Sequence, residues 1–393
     1  MKEMLIEGKY ATAKVFTVDN EEHAIDPHAM AQIKMICDNE ISKDAVIRVM
    51  PDVHAGKVGP IGLTMKLAHR RVIPNLLGND IGCGLSIFRL YTKNKKLTAS
   101  DFAKLDKVIH ERVPTFSNDK IIHDDAVKLI NDLVFDVPID VNRAAATFGT
   151  LGGGNHFIEI DQDEEGNYYL SIHSGSRALG PMINDHYNRI GQKILKDNGI
   201  EVPYEMTYIE GDLYDDYVSN CVRAMYFASL SRRRMADEIC KGMKWKINQT
   251  TWNMYHNSIS YNHVLRKGAA FIGTNNYDSD NFANYYDDPV VYIPINMKDG
   301  ILYGRVKPNQ DWNFSVPHGS GRLIKRSDVK NTVSLSMFKK EMEGIYSTSV
   351  GRDTLDEAPF AYRRIDELRS AISGVVDVLG VLKPVYSFKA GRR

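Results

Sequence analysis

A mixed α and β fold in one continuous domain, residues 1–393, is what this sequence predicts, and three observations carry the prediction. Short runs of β-branched and aromatic residues are interspersed with longer stretches of helical apolar spacing. Glycine, rather than Pro/Ser-rich linkers, punctuates the chain. No fixed-period repeat or low-complexity tract divides it. The strands are not separated by helices of uniform length, which argues against a doubly wound sheet or a TIM barrel.

In chain order, His28 to Cys37 reads as a helix, Ala45 to Met50 as a strand and Leu85 to Leu90 as another. Phe157 to Ile160 and Tyr169 to Ile172 are two β runs separated by a turn rich in Asp, Glu, Gly and Asn, which is a hairpin signature. With the turn centred between Glu164 and Glu165, His156 stands opposite His173 with Cβ atoms about 5 Å apart. A one-residue shift of the turn moves the partner of His156 to Gly175, so both registers stay open. Tyr217 to Met243 reads as a long helix with His256 near the end of that region, and Val290 to Ile295 as a strand. Ala361 to Leu382 reads as a helix, with Ile365, Leu368, Ile372, Val375, Val376 and Leu379 at helical spacing.

Hydrophobic residues make up 43% of the 393, enough for a full core, and a charged share of 25% excludes neither folding nor solubility. Disordered and collagen-like compositions are excluded. Lys plus Arg and Asp plus Glu are both 50, so the formal charge is +0 and any site for a polyanion must be a local patch. The longest apolar stretches, such as Ile372 to Leu382 with Asp377 inside it, fall short of the roughly 20 residues that span a bilayer. The start, Met1-Lys2-Glu3-Met4, lacks the apolar region of a secretory signal. Cys37, Cys83, Cys221 and Cys240 show no CxxC spacing, so neither a disulfide framework nor a zinc ribbon is expected, and a reducing cytoplasm is.

Chemistry-bearing residues concentrate where glycines cluster. In Gly78-Asn79-Asp80-Ile81-Gly82-Cys83-Gly84, flanking glycines permit a tight turn that lets Asp80 and Cys83 converge on one cation; the competing reading is a turn with an incidental buried thiol. His156, in Gly152-Gly153-Gly154-Asn155-His156, and His173 are candidates to share a metal site, or are two separate hydrogen-bonded histidines. His256 alone reads more readily as an ordinary core or surface histidine. His173-Ser174-Gly175-Ser176-Arg177 offers hydroxyls, N–H groups and a guanidinium suited to phosphate. In Pro317-His318-Gly319-Ser320-Gly321-Arg322, small residues allow a large group to approach His318, the following N–H groups suit an anion, and a neutral imidazole can attack phosphorus. Mixed O, N and S donors suit a borderline transition metal such as Mn²⁺, Co²⁺ or Zn²⁺ and exclude calcium. The residues by themselves describe a metal-dependent enzyme acting on phosphates.

In order along nearly the whole chain, these segments resemble the motifs of the RtcB family of 3′-phosphate/5′-hydroxyl RNA ligases. The resemblance runs through Met50-Pro51-Asp52-Val53-His54-Ala55-Gly56, Pro60-Ile61-Gly62, Asp80-Ile81-Gly82-Cys83-Gly84, Gly154-Asn155-His156-Phe157-Ile158-Glu159 and His173-Ser174-Gly175-Ser176-Arg177. It continues through His256-Asn257, Arg266-Lys267-Gly268-Ala269, His318-Gly319-Ser320-Gly321-Arg322, Asp356-Glu357-Ala358-Pro359 with Tyr362, and Lys389. It implies an α+β architecture with central β-sheets, helices outside and a metal-containing cleft. It also implies two Mn²⁺ ions bridged by Cys83, one completed by Asp80 and His156 and the other by His173 and His256. His318 would be guanylylated by GTP, with Asn155, Glu159, Gly319, Ser320, Gly321, Tyr362 and Lys389 around the nucleotide. Arg177 and Arg322 would face RNA phosphates.

The implied reaction joins RNA ends bearing a 3′-phosphate or 2′,3′-cyclic phosphate to 5′-hydroxyl ends, in tRNA or ribosomal RNA. An archease-like activator or a release-factor-like protein is the implied partner, and the chain is most similar to the compact bacterial branch. Three segments depart from the family pattern. Ile293 to Gly300 replaces a Pro-Gly-Ser-Met-Gly type segment, Leu265 stands where a histidine usually precedes Arg266-Lys267-Gly268, and Ala390-Gly391-Arg392-Arg393 follows Lys389. The first of these motivates an alternative, a metal-dependent phosphodiesterase or RNA end-healing hydrolase without productive GTP use. A non-catalytic RNA-binding factor is the third reading, disfavoured by the intact ligand set.

Overall fold

Two large sheets are joined through His256, which links an edge strand of one to an edge strand of the other, and Cys83, His156, His173 and Lys389 stand at or beside strand ends. The computed structural model describes residues 2–17, 25–93, 95–116, 122–272 and 290–391. The six-stranded sheet has the order Lys2–Glu7, Thr12–Thr17, Val46–His54, Ile61–Lys66, Val264–Lys267, Asn257–Ile259. Thr12–Thr17 pairs with Val46–His54 in parallel, and the other pairings are antiparallel. The seven-stranded sheet is antiparallel throughout, in the order Lys246–Tyr255, Gly84–Tyr91, Tyr168–Ser174, Phe157–Gln162, Val376–Lys389, Gly300–Val306, Val290–Asn296. The mixed α and β prediction holds.

Helices cover these sheets and share cores with them. Pro27–Cys37 starts on a proline, and Asp26 caps it by accepting from the N–H of His28 at 2.9 Å. Its Ile33 and Ile36 pack with Ile47, Val49, Leu63 and Leu265 of the first sheet. Thr98 and Asp101 form a capping box for Ala99–Arg112, whose Phe102, Leu105 and Ile109 pack with Phe88, Ile158, Leu170 and Ile172 of the second. The 32-residue helix Asp212–Met243 contributes Tyr217 and Cys221 to the first core and Met235 and Ile239 to the second. It therefore fixes one sheet against the other.

From the same helix, fully buried Arg232 ties the inner strand ends together. Its guanidinium donates to the carbonyls of Gly82 at 3.1 Å and Ser174 at 2.6 Å, to Ser86 Oγ at 2.8 Å and to Asn253 Oδ1 at 2.6 Å. Four acceptors satisfy a charge that burial would otherwise make costly.

Three expectations are corrected. Ala361 to Leu382 is not one helix: Ile365–Ile372 is helical, and Val376–Lys389 is a strand between Gly300–Val306 and Phe157–Gln162. Gly374 weakens a helix there, the β-branched Val375, Val376 and Val378 favour extended chain, and cross-strand pairing overrides the apolar spacing; Leu379 is 48% exposed. The hairpin register places Phe157, not His156, opposite His173. His156 precedes its strand and belongs to the Gly-rich loop. His256, finally, lies beyond the helix, as the single residue between the strands Lys246–Tyr255 and Asn257–Ile259 of the two sheets. All four cysteines are free and buried, and among the described residues no helix is long and apolar enough to cross a membrane.

Candidate metal and nucleotide site

Cys83, entering the strand Gly84–Tyr91, is shared by two clusters of donors: Cys83, His173 and His256 form one, and Asp80, Cys83 and His156 the other. Within each, the ligand atoms lie within 4.8 Å of one another. Cys83 Sγ is 3.4 Å from His156 Nε2 and 3.2 Å from His173 Nε2, and His173 Nε2 is 3.2 Å from His256 Nε2. His156 Nε2 is 3.8 Å from Asp80 Oδ2.

The strand ends aim these rings. His156 Nδ1 lies 2.9 Å from the carbonyl of Leu151, and His173 Nδ1 3.1 Å from that of Asn155. Each Nδ1–H is thus used by the backbone and each Nε2 lone pair is turned inward, the arrangement that ligating imidazoles need. Gly175 is required here, since a Cβ would fall 2.2 Å from Asp80 Oδ1. Burial, reinforced by neighbouring histidines, holds His173 and His256 well below the ordinary imidazole range, so both are neutral. Burial, and next the Asp80 charge, pushes the Cys83 thiol well up, which a cation between these donors would reverse. Two neutral imidazoles with a thiol, and an imidazole with a thiol and a carboxylate, fit borderline transition-metal ions.

Next to this centre stands His318, directly after the strand Ser315–Pro317, its ring centroid 4.8 Å from that of His256. Asp52, fully buried on the strand Val46–His54, accepts from the His318 backbone N–H at 3.2 Å and lies 2.6 Å from His318 Nδ1. Within the segment Met50 to Gly56, nothing in the sequence singles out Asp52; its complete burial against His318 does. Gly321, with φ of +77°, lets the loop pass so close that a Cβ would lie 2.7 Å from the Asp52 carbonyl.

A cavity opens from His318 and is lined by Asn155, Glu159, Gly319, Ser320, Gly321, Tyr362 and Lys389, which gathers every candidate nucleotide residue in one place. Pro294, Ile295, Asn296 and Met297 form another wall, so the segment that departs from the family pattern is part of this cavity. There Asn296 Oδ1 accepts from the N–H groups of Lys298 and Asp299, and Ser320 Oγ donates to the Ile295 carbonyl at 3.0 Å. Glu159 is buried and accepts from Ser387 Oγ at 2.8 Å; burial pushes its carboxyl up to about 7 against the opposing effects of Ser387 and Lys389.

Glu357 organises the far wall. Its carboxylate accepts from Lys389 Nζ at 2.6 Å and Tyr362 Oη at 2.6 Å, and pairs with Arg326 and with Arg322 at 3.4 Å. Burial opposes its ionisation, but Lys389, Arg326 and Arg322 hold it down at about 2. Arg322 lies over the Tyr362 ring at 4.8 Å and lines the cavity, whereas Arg177 does not line it and packs beside Gly152 and Thr150.

By donor set and by the cavity beside it, this is a candidate metalloenzyme centre. Comparison makes the class specific: the chain belongs to the RtcB family, whose model, described as tRNA-splicing ligase RtcB, matches residues 32–135 and 137–390. It is 28% identical to the RNA-splicing ligase RtcB of Escherichia coli strain K12, over 87% of this chain and 90% of that one. It is 27% identical to the tRNA-splicing ligase RtcB of Nanoarchaeum equitans, over 87% and 86%, and 25% identical to that of Aeropyrum pernix, over 83% and 84%.

Proposed function

We propose that this protein is a GTP- and Mn²⁺-dependent RNA ligase that joins 3′-phosphate or 2′,3′-cyclic phosphate ends to 5′-hydroxyl ends through a guanylylated His318. The observation that carries the reading is the placement of His318 between the paired donor clusters and a cavity holding every candidate nucleotide residue.

His318 donates its Nδ1 proton to Asp52, which leaves the Nε2 lone pair free as the nucleophile. Attack on the α-phosphorus of GTP forms the N–P bond and expels pyrophosphate. An oxygen of the RNA 3′-phosphate then takes the guanylyl group, restoring His318. The 5′-hydroxyl of the second RNA displaces GMP, its proton passing to solvent. The activation is needed because a phosphate monoester has only oxide or hydroxide to expel, whereas the guanylylated end expels GMP. Asp80, Cys83, His156, His173 and His256 would hold the two cations, which supply charge neutralisation for crowded phosphates and acidify a bound hydroxyl.

In this reading Glu159 would accept from the guanine edge, Tyr362 would cover the base, and Asn155, Lys389 and the N–H groups of Gly319 to Gly321 would meet the phosphates and sugar; that all of them line one cavity supports it. The test is transfer of radiolabel from the α-phosphate of GTP to protein with Mn²⁺, comparing wild type with His318→Ala on a denaturing gel. Label on the wild type alone is expected. No label on metal-loaded wild type shifts the assignment to the phosphodiesterase or end-healing reading, which the altered Pro294 to Gly300 wall favours and which opens cyclic phosphates without joining ends.

A further inference from the structure

His318 faces two spaces. Beyond the nucleotide cavity lies a wider groove, which shares His54, Asn155, His318, Arg322 and Arg326 with it and extends past Lys57, Lys325 and Arg363. Tyr362 and Arg363 are consecutive, and Tyr362 is extended, with φ −118° and ψ 155°. Consecutive extended residues point to opposite sides. Tyr362 accordingly lines the nucleotide cavity and not the groove, and Arg363 lines the groove and not the cavity.

Arg363 is the unusual member. It is only 5% exposed, its backbone N–H is tied to the Gly321 carbonyl at 3.1 Å, and its buried Nε has no hydrogen-bond partner among the described residues. The opposite charges that reach it are those of Glu367 and Asp52. A buried guanidinium with an unused donor is costly unless something completes it. The contrast with Arg232, which has four acceptors in place, is direct. The groove rim adds the exposed cations Lys57 and Lys325; Asp26 and Asp80 also line the groove, and Asp26 pairs with Lys325 at 3.4 Å, but the cations outnumber the carboxylates, a local positive sign that the chain's zero net charge conceals.

We propose that this groove seats an RNA strand, with Arg363 as the buried group that binds one of its phosphates on the side of His318 opposite the nucleotide. The proposal rests on the ligase reading for its choice of RNA. It gives the reaction two approaches to one imidazole: the nucleotide enters past Tyr362, and the acceptor phosphate past Arg363. The planar fork of arginine suits such an oxyanion.

Binding of a labelled RNA oligonucleotide by the full chain without GTP tests this, with ends that carry either a 3′-phosphate or a 3′-hydroxyl. Arg363→Gln is expected to weaken binding by roughly tenfold or more, with a shallower salt dependence. A loss confined to the 3′-phosphate RNA assigns Arg363 to the terminal phosphate; an equal loss for both assigns it to an internal phosphodiester. Affinity unchanged within twofold for both RNAs overturns the proposal. Labelling of His318 by GTP, run in parallel, reports on folding and on the ligase reading. If wild type binds RNA but takes no label, that reading falls while the groove stands. Should Arg363→Gln not fold, Lys57→Glu with Lys325→Glu, both exposed, asks the same question of the rim, and RNA affinity unaffected by both charge reversals overturns the groove.

Discussion

Asp52 grips His318 twice, through the backbone N–H at 3.2 Å and through Nδ1 at 2.6 Å, while its own second oxygen is buried with no hydrogen-bond partner among the described residues. The carboxylate therefore fixes both the position of the residue and the tautomer of its ring. Asp52→Asn keeps the shape but can offer its amide N–H to Nδ1, which favours the wrong tautomer. The expected result is a fall of roughly 10²–10⁴-fold in the rate of His318 guanylylation with GTP affinity little changed. Single-turnover labelling checks it, and a rate within threefold of wild type would show that the pair is only structural.

Glu159 should give the proposed nucleotide site a pH dependence. Its carboxyl, pushed by burial up to about 7 from an ordinary 4.5, binds a proton in the free protein below neutrality. A guanine edge presents N–H donors, which need the carboxylate. GTP affinity should therefore rise as pH increases from about 6 to 8, and Glu159→Gln should flatten the profile while lowering affinity. Stability runs the other way: between 4.5 and about 7 the folded state holds a proton that the unfolded chain releases, so the carboxyl's contribution is present below that window and lost as pH rises through it. Calorimetric titration with a non-hydrolysable GTP analogue measures the first effect, and an identical pH slope in wild type and variant would remove Glu159 from base recognition.

What could be read from the sequence divides along physical lines. Cys83, His156, His173 and His318 stood out as candidates because thiol and imidazole are scarce and glycines lie close by in the sequence, whereas His256, with no such setting, became a candidate only through the family resemblance. The strand ends that gather them were not legible, because pairing between residues such as Phe157 and Lys389 joins positions far apart in the chain. The first half of the final strand, Val376 to Leu382, reads as helix for the same reason: its apolar residues satisfy a helical spacing, and only the neighbouring strands decide the matter. Asp52, Glu357 and Arg363 escaped because nothing local distinguishes a carboxylate or guanidinium that will be buried from one that will be solvated.

Cys83 belongs to both donor clusters and His256 to one, so their removal should differ in stoichiometry. Cys83→Ala is expected to weaken binding at both positions, by roughly 100-fold or more, whereas His256→Ala should leave the Asp80, Cys83 and His156 cluster able to retain one Mn²⁺. Elemental analysis of protein equilibrated with Mn²⁺ and desalted distinguishes the two. Equal metal content in both variants contradicts a bridging Cys83.

Glu357 makes the last case, since one buried carboxylate serves four of the side chains around the cavity: Lys389, Tyr362, Arg322 and Arg326. Replacing it by glutamine keeps the volume and removes the charge, leaving Lys389 and Arg322 without this counter-ion and Arg326 with Asp356 alone, at 3.0 Å. Breaking a buried pair from one side costs about 3–5 kcal/mol, so Glu357→Gln should lower stability by that order near neutral pH and loosen the Lys389 and Tyr362 wall. The sign with pH follows from a carboxyl held down at about 2 in the fold against an ordinary 4.5. Its stabilising contribution is complete above 4.5 and disappears as pH falls through about 2, once the folded state too takes up the proton. Urea unfolding of wild type and variant should therefore show a gap that is largest near pH 7 and narrows by about pH 3. If the gap were constant over that range, the loss would come from packing, and the charge of Glu357 would not be what holds the cavity wall in place.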